Sequence, residues 1–444
     1  MGDLSALKRQ IVGTGNDAGD NIQINPWDVP YLTQMHRSMH EQGGGGGARE
    51  ALQEYLPLEV AVDALSDVAH CLFGITLKVL PLPEAEAWLD VQGPRECEGN
   101  SEGSKEHTRQ ILIGGGGAFK LEATGPSGEG LGTVYLDLYN RPDKFTGAAH
   151  FTVQCGCDYS GGQDASQAQL PVVALVFNFP SRSGSSAFYD KSPLLSLSDL
   201  TTLFHEWGHA LHSLLSRTTY QHLSGTRGAL DFVEVPSHLF ERFATDPRML
   251  KRWARHHSTG SPPPDGLVEQ ALAERGSFFA TEVQAQLLYS LADQYMFGSG
   301  IGDCQAYNDA QVYDIAMRGA ADLQSRYTLL AVPELGPESG PALGLLPAKQ
   351  GQGKGMVRPS SLFAPSHSHL ITYGGGYYAY LYAKMYAAQI WDLQFEKDPL
   401  SRASGERLWK DMLGYGVSRD PKKLLTDLCE GKDLDPTHYY TFLK

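Results

Sequence analysis

Three residues near the middle of the chain carry the chemistry most easily read: His205, Glu206 and His209, in the run His-Glu-Trp-Gly-His. A helix turns about 100° per residue, so positions i and i+4 stack on one face. Two imidazoles four residues apart can therefore aim at one metal ion. Zinc suits two neutral imidazoles plus a carboxylate, with a fourth position left to water. A bound cation lowers the pKa of that water toward neutrality. Glu206 stands beside the first histidine, at the edge of the same face. It is placed to take a proton from the water without ligating the metal. The implied chemistry is metal-assisted hydrolysis, in the arrangement zinc peptidases use.

The helix that must carry this motif has a clear start. Ser196 and Asp199 match the S-x-x-D form of a capping box. Leu200, Leu203, Phe204, Trp207, Leu211, Leu214 and Leu215 mark one apolar side, and Thr201, His205, His209, His212 and Ser216 mark the other. A third ligand should follow downstream, where His222, Asp231, Glu234, His238 and Glu241 are the candidates. The segment from Asp231 to Phe243 reads as a second helix, with Asp231 as its N-cap and Pro236 near its first turn. Glu234 and Glu241 are seven residues apart and share a face. Either could ligate while the other orients a ligand histidine. His212 is either such a partner or a hydrogen-bonded structural histidine. The glycine-rich turns Gly225 to Gly228 and Gly374 to Gly376 could flex beside a substrate or be ordinary turns.

Around these helices the pattern implies a mainly α protein with a small sheet placed before the central motif. Residues 27–41 and 51–82 carry helix-like periodicity, interrupted by the glycines at 43–47. Residues 93–130 are rich in Gly, Ser and Glu and read as a surface insertion that builds no core. Val134 to Tyr139 and Leu170 to Phe179 read as strands, the second as a buried one. From Leu197 the pattern is largely helical, broken by another low-complexity stretch at 333–355. No regular internal repeat is visible.

Composition narrows the partners. Lys and Arg total 36 against 51 Asp and Glu, a net charge of −15. Phosphate binding needs a basic surface, so nucleic acid is not expected as a partner. A basic peptide is compatible with this charge through steering. Six cysteines in 444 residues make no disulfide framework, and only Cys155-Gly-Cys157 is a close pair, which suggests a reducing compartment. No apolar run is long enough to span a bilayer, so membrane insertion is not expected. The first ten residues show neither a signal peptide nor an organellar transit peptide.

Several segments carry a family resemblance. They are His205-Glu-Trp-Gly-His209-Ala-Leu-His212, then Tyr220-Gln-His-Leu-Ser-Gly-Thr-Arg227, then Asp231-Phe-Val-Glu234-Val-Pro-Ser237. The run His369-Leu-Ile-Thr-Tyr373-Gly-Gly-Gly-Tyr377-Tyr378-Ala-Tyr380 agrees with them. Together they resemble the thimet oligopeptidase family of zinc metallopeptidases, most nearly its mitochondrial intermediate peptidase branch. The resemblance implies a zincin-like catalytic region over 1–444, apart from insertions at 43–47, 93–130 and 333–355. The resemblance also implies that the family's N-terminal helical region is missing ahead of these residues. It implies one zinc ion held by His205, His209 and Glu234, with Glu241 and Asp231 behind the ligands. Glu206 would be the base. His369, Tyr373 and Tyr380 would help catalysis, and Tyr377 and Arg227 would contact substrate. Manganese or cobalt could substitute in such a site.

The function this resemblance implies is removal of short N-terminal peptides from imported precursor proteins in the mitochondrial matrix, by a monomer. Two alternatives remain open at this point. One is a general oligopeptidase, cytoplasmic or mitochondrial. The other is a shortened chain that binds zinc and peptide without turnover.

Overall fold

The computed structural model describes residues 2–12, 24–25, 27–40, 47–86, 118–159, 168–180, 193–276, 278–299, 306–328, 334–335, 358–359, 370 and 374–441. The chain forms two compact units. One comprises Met1–Gly47 with Gly276–Tyr382, and the other Ala48–Arg275 with Ala383–Phe442. The main helices are α1 (Gly2–Val12), α2 (Asp28–His40), α3 (Leu58–Phe73), α4 (Leu197–Leu215), α5 (Leu230–Thr245), α6 (Phe279–Phe297), α7 (Asp309–Tyr327), α8 (Ala379–Ile390) and α9 (Arg402–Asp411). The architecture is mainly helical with one small sheet, as the sequence pattern implies.

The second unit holds a five-stranded sheet: β1 (Thr76–Pro81), β2 (Ala118–Thr124), β3 (Gly130–Tyr139), β4 (Ala149–Gln154) and β5 (Val172–Phe179), in the order β1-β2-β3-β5-β4. Only β3 and β5 run parallel. Leu136, Val173, Leu175 and Phe177 are fully buried on these central strands. The sheet packs on α4, and β4 forms its edge.

Two segments differ from the sequence reading. Residues 51–82 are not one helical stretch. Gly74 ends α3 in the left-handed region at φ 73°, with its N–H returned to the carbonyls of Ala69 and His70. That is a glycine stop, and the chain leaves it as β1. The stretch 93–130 is not wholly an insertion either. From Ala118 it is strand β2, and Phe119 and Leu121 are fully buried. The composition of the long window hid the short alternation Ala-Phe-Lys-Leu-Glu-Ala-Thr. Most of the glycine run and most of 333–355 lie outside the described residues, although Glu334–Leu335 pairs with Arg358–Pro359.

One ion cluster fixes how the chain turns from β3 into β4. Asp137 and the Lys144 side chain are both buried. Lys144 Nζ lies 2.8 Å from Asp137 Oδ1 and 2.8 Å from the Tyr139 carbonyl, and it also reaches the Phe177 carbonyl. Arg141 grips the same carboxylate with both terminal guanidinium nitrogens, at 2.7 and 2.8 Å. The cluster ties the 140–148 loop to β3 and β5, and so sets where β4 begins. Lys144→Met should lower the unfolding free energy by about 3 kcal/mol, the lower end for breaking a buried pair, because Arg141 still holds Asp137. A urea titration followed by circular dichroism measures this. An unchanged midpoint would mean the ammonium group adds nothing net.

Candidate active site

Helix α4 starts as its sequence requires. The Ser196 hydroxyl accepts the Asp199 N–H at 3.1 Å, and the Asp199 carboxylate accepts the Ser196 N–H at 2.9 Å. Leu200, Leu203, Phe204, Trp207, Leu211, Leu214 and Leu215 are buried. On the other side His205 and His209 stand one turn apart, ring centroids 5.1 Å and planes 85° apart.

Helix α5 supplies the carboxylate. Its N-cap is Ala229, with no side-chain cap, so Asp231 lies in the first turn and is not the cap. Its charge there still suits the helix dipole. Pro236 lies deeper than expected, in the helix interior. Glu234 is buried, and its Oε2 lies 3.5 Å from His205 Nε2 and 3.3 Å from His209 Nε2. Ser237 Oγ is 2.9 Å from the same oxygen.

These separations test whether a metal fits. Four ligands at about 2.1 Å around a tetrahedral ion stand about 3.4 Å from one another. The two imidazole–carboxylate separations match that edge better than an ordinary hydrogen bond. His205, His209 and Glu234 therefore form a donor set that can hold a metal ion. Behind it, His205 Nδ1 meets Glu241 Oε1 at 2.7 Å, the outer hydrogen bond that fixes a ligand ring. His209 Nδ1 is buried without a hydrogen-bond partner among the described residues.

The electrostatics separate three neighbouring carboxylates. Burial pushes Glu206 up from its ordinary value, only partly opposed by the nearby His205 and His209 charges and by the backbone N–H of His150. Burial also pushes on Glu234, but hydrogen bonds and charge from His205 and His209 outweigh it and hold Glu234 well down. Glu241 is likewise held down against burial by His238 and His205. Burial alone would lower His205, yet Glu234 and Glu241 lift it to about 10. A metal cation in place of that proton would answer the same two carboxylates.

The tightest constraint is at Gly208. A Cβ there would stand 2.7 Å from the Pro236 carbonyl oxygen and 2.7 Å from the Ser237 Cα. The two helix backbones touch at this point, which brings Glu234 under both histidines.

Not every expected residue joins the site. His222 and Arg227 are exposed on the loop before α5, and among the described residues neither His222 nor Asp231 belongs to a donor group that could share a metal. That loop is held in place. Gly225 N–H donates to Ser216 Oγ at 2.9 Å, and Val417 N–H donates to the Leu223 carbonyl at 2.8 Å. His212 is fully buried against Phe232, with neither ring nitrogen well partnered, so it packs and does not orient a ligand.

Tyr377 and Tyr380 belong to the other unit. Tyr377, expected to touch peptide, is buried in a cluster with Met317, Ala320 and Leu370, its hydroxyl 3.1 Å from Gln286 Oε1. Tyr380 is half-buried and packs against the same cluster. The buried carboxylate of Asp293 accepts the Gly375 and Tyr377 N–H groups, both at 2.9 Å, so the described part of the Gly374–Gly376 turn is anchored on α6. His369 and Tyr373 lie outside the described residues.

Sequence reasoning missed His150. It lies on the edge strand β4, its Nε2 3.2 Å from Ser213 Oγ and its ring 5.8 Å from His209. Burial and the neighbouring His209 and His212 push its pKa down to about 3, so this ring is neutral. Its inward place in the alternation of β4 was the available signal, but only with the sheet known to pack on α4.

The model of Peptidase family M3 matches residues 2–436. This chain belongs to peptidase family M3. Within that family it is 36% identical over 420 residues to a mitochondrial intermediate peptidase of Arabidopsis thaliana, covering 94% of this chain and 49% of that one. To the Eremothecium gossypii mitochondrial intermediate peptidase it is 31% identical over 443 residues, covering 96% and 48%. To the Homo sapiens protein of that name it is 29% identical over 412 residues, covering 92% and 47%. The chain spans about half the length of the curated relatives it matches. The family is the one the motif segments imply.

Two outcomes follow from the packing. Gly208→Ala should push α5 away, with an overpacking cost of about 1–3 kcal/mol. Metal affinity should fall about 10-fold or more, as when the supporting contacts of a metal site are lost. Chelator competition reads the affinity, and an unchanged value would show the contact is slack.

His212 is held neutral by burial, its pKa moved from 6.5 to about 3, with nearby His209 lowering it further and the Gly416 carbonyl compensating only in part. Its contribution to stability is complete above about pH 6.5 and is lost as pH falls toward 3, because the unfolded chain takes up the proton first. His212→Leu should therefore flatten the fall in melting temperature on the acid side. An equally steep fall would show that His212 is not the group responsible.

Proposed function

We propose that this chain is the catalytic region of a zinc metalloendopeptidase that cleaves short peptides from protein N-termini. The observation that carries the proposal is the buried Glu206 carboxylate beside the His205–His209–Glu234 donor set, its proton affinity raised by burial. One zinc ion is the favoured occupant, because two imidazoles and a carboxylate suit it and leave a position open.

Zinc bound there supplies Lewis acidity toward water and the scissile carbonyl. The protein's own groups do the rest. Glu234 and the two imidazoles hold the ion. Glu241 orients His205 through the 2.7 Å contact. Glu206 takes the proton of the attacking water and returns it to the leaving amine, a task suited to a carboxylate with a raised pKa. The backbone N–H of His150 steadies its charged form. The edge strand β4 has one side unpaired by the sheet, and an extended peptide can add there as a further strand. Tyr380, with His369 and Tyr373, is proposed to donate hydrogen bonds to the developing oxyanion. Arg227 is proposed to contact substrate.

The relatives are named mitochondrial intermediate peptidases, which supports a peptidase acting in mitochondria. Removal of N-terminal peptides from imported precursors, by a monomer, is proposed from the resemblance of the motif segments. The net charge of −15 suits a basic substrate. Among the described residues no helix is long and apolar enough to cross a membrane.

Hydrolysis of a quenched-fluorescent peptide by the zinc-loaded chain, beside its Glu206→Gln variant, tests the proposal. The parent should cleave. The variant should keep its zinc and lose about 10²–10⁴-fold in rate, the usual contribution of a general acid–base group. A variant as fast as the parent, or a zinc-loaded parent that cleaves nothing, would overturn it.

A further inference from the structure

His238 has no part in the mechanism above, yet it is joined to it. It lies on α5, one turn before Glu241, and is buried. Its Nδ1 meets Glu241 Oε1 at 2.8 Å, and the same oxygen meets His205 Nδ1 at 2.7 Å. The two rings are 5.0 Å apart at 66°, so they converge on that oxygen from different directions. An ionised carboxylate only accepts hydrogen bonds, so each Nδ1 donates, and a neutral ring in that tautomer carries its lone pair on Nε2. On His205 the Nε2 atom faces the Glu234 side, where the donor set converges.

We infer that His238 is a positioning residue: its Nδ1–H pins the Glu241 carboxylate where it fixes the His205 ring, and so sets how tightly zinc is held. This rests on the zinc reading above. A carboxylate held by His205 alone could rotate about its own side chain, and the ligand ring would follow. A second donor on the same oxygen removes that freedom. Outer hydrogen bonds of this kind typically set metal affinity by about 10–100-fold.

A purely packing role fits the observations poorly. The His238 Nε2 atom is buried and has no hydrogen-bond partner among the described residues. An unpaired buried acceptor opposes stability, so packing alone favours an apolar side chain at this position. The polar ring is accounted for by what its other nitrogen does.

The shape of the amide side chains gives a direct test. Asparagine places its amide nitrogen where histidine has Nδ1, and glutamine places it where histidine has Nε2. Zinc affinity is measured by chelator competition on the whole chain, for the parent and for His238→Asn, His238→Gln and His238→Leu. The expected result is about 10-fold or greater weakening in the glutamine and leucine variants, with asparagine close to the parent. In a Glu241→Gln background, His238→Leu should weaken zinc no further, because the two residues act through one contact.

Equal affinities in all four proteins overturn the inference. So does an asparagine variant as weak as the leucine variant, or a full additional loss in the Glu241→Gln background. A parent that binds no zinc overturns the proposed function itself, whereas a tight-binding parent with indifferent variants overturns only the role of His238.

Discussion

Residue 208 has no side chain, and the candidate site depends on that. Helices α4 and α5 approach until the Gly208 Cα faces the Pro236 carbonyl and the Ser237 backbone. A carboxylate three residues before Ser237 then comes within 3.3 and 3.5 Å of two imidazoles on the other helix. A methyl group in between would separate the helices by more than the tolerance of a metal–ligand bond. The buried leucines of α4, the capping box at its start and the sheet beneath it all serve to hold one rigid rod at that contact.

The same closeness creates the electrostatic pattern. Three glutamates sit around two histidines, and their environments drive their proton affinities apart. Glu234 and Glu241 face imidazoles and are held as anions. Glu206 is also near both rings, but burial outweighs that attraction and raises it. Two groups are thus shaped to hold a cation and its ligand, and the third to move a proton. Pairs of titratable groups pushed apart in this way mark the division of labour in hydrolytic sites.

How much of this was legible varies residue by residue. His205, Glu206 and His209 were readable because helical periodicity alone puts them together. Glu234 was not separable by spacing from Glu241 and His238, since all three lie on one downstream helix, and only the family resemblance chose it. The structure also shows why the others competed: both pack behind the ligands. His150 was invisible, because its nearness to Glu206 depends on which sheet edge meets α4. Strand β2 was lost because a glycine-rich neighbour dominated the composition around it. Spacing alone could not place Tyr377, because it precedes α8 and is buried within its own unit. Its hydroxyl found Gln286, and its ring found Tyr289 and Tyr380.

The two units carry different parts of the proposal: the donor set and Glu206 in one, Tyr377 and Tyr380 in the other. The claim that everything else rests on concerns the first. Anomalous diffraction from crystals of the zinc-loaded chain, recorded on both sides of the zinc absorption edge, tests it most directly. The expected result is one strong peak within about 2.2 Å of His205 Nε2, His209 Nε2 and a Glu234 carboxylate oxygen. A zinc peak held by other residues, or none between these three, would contradict it.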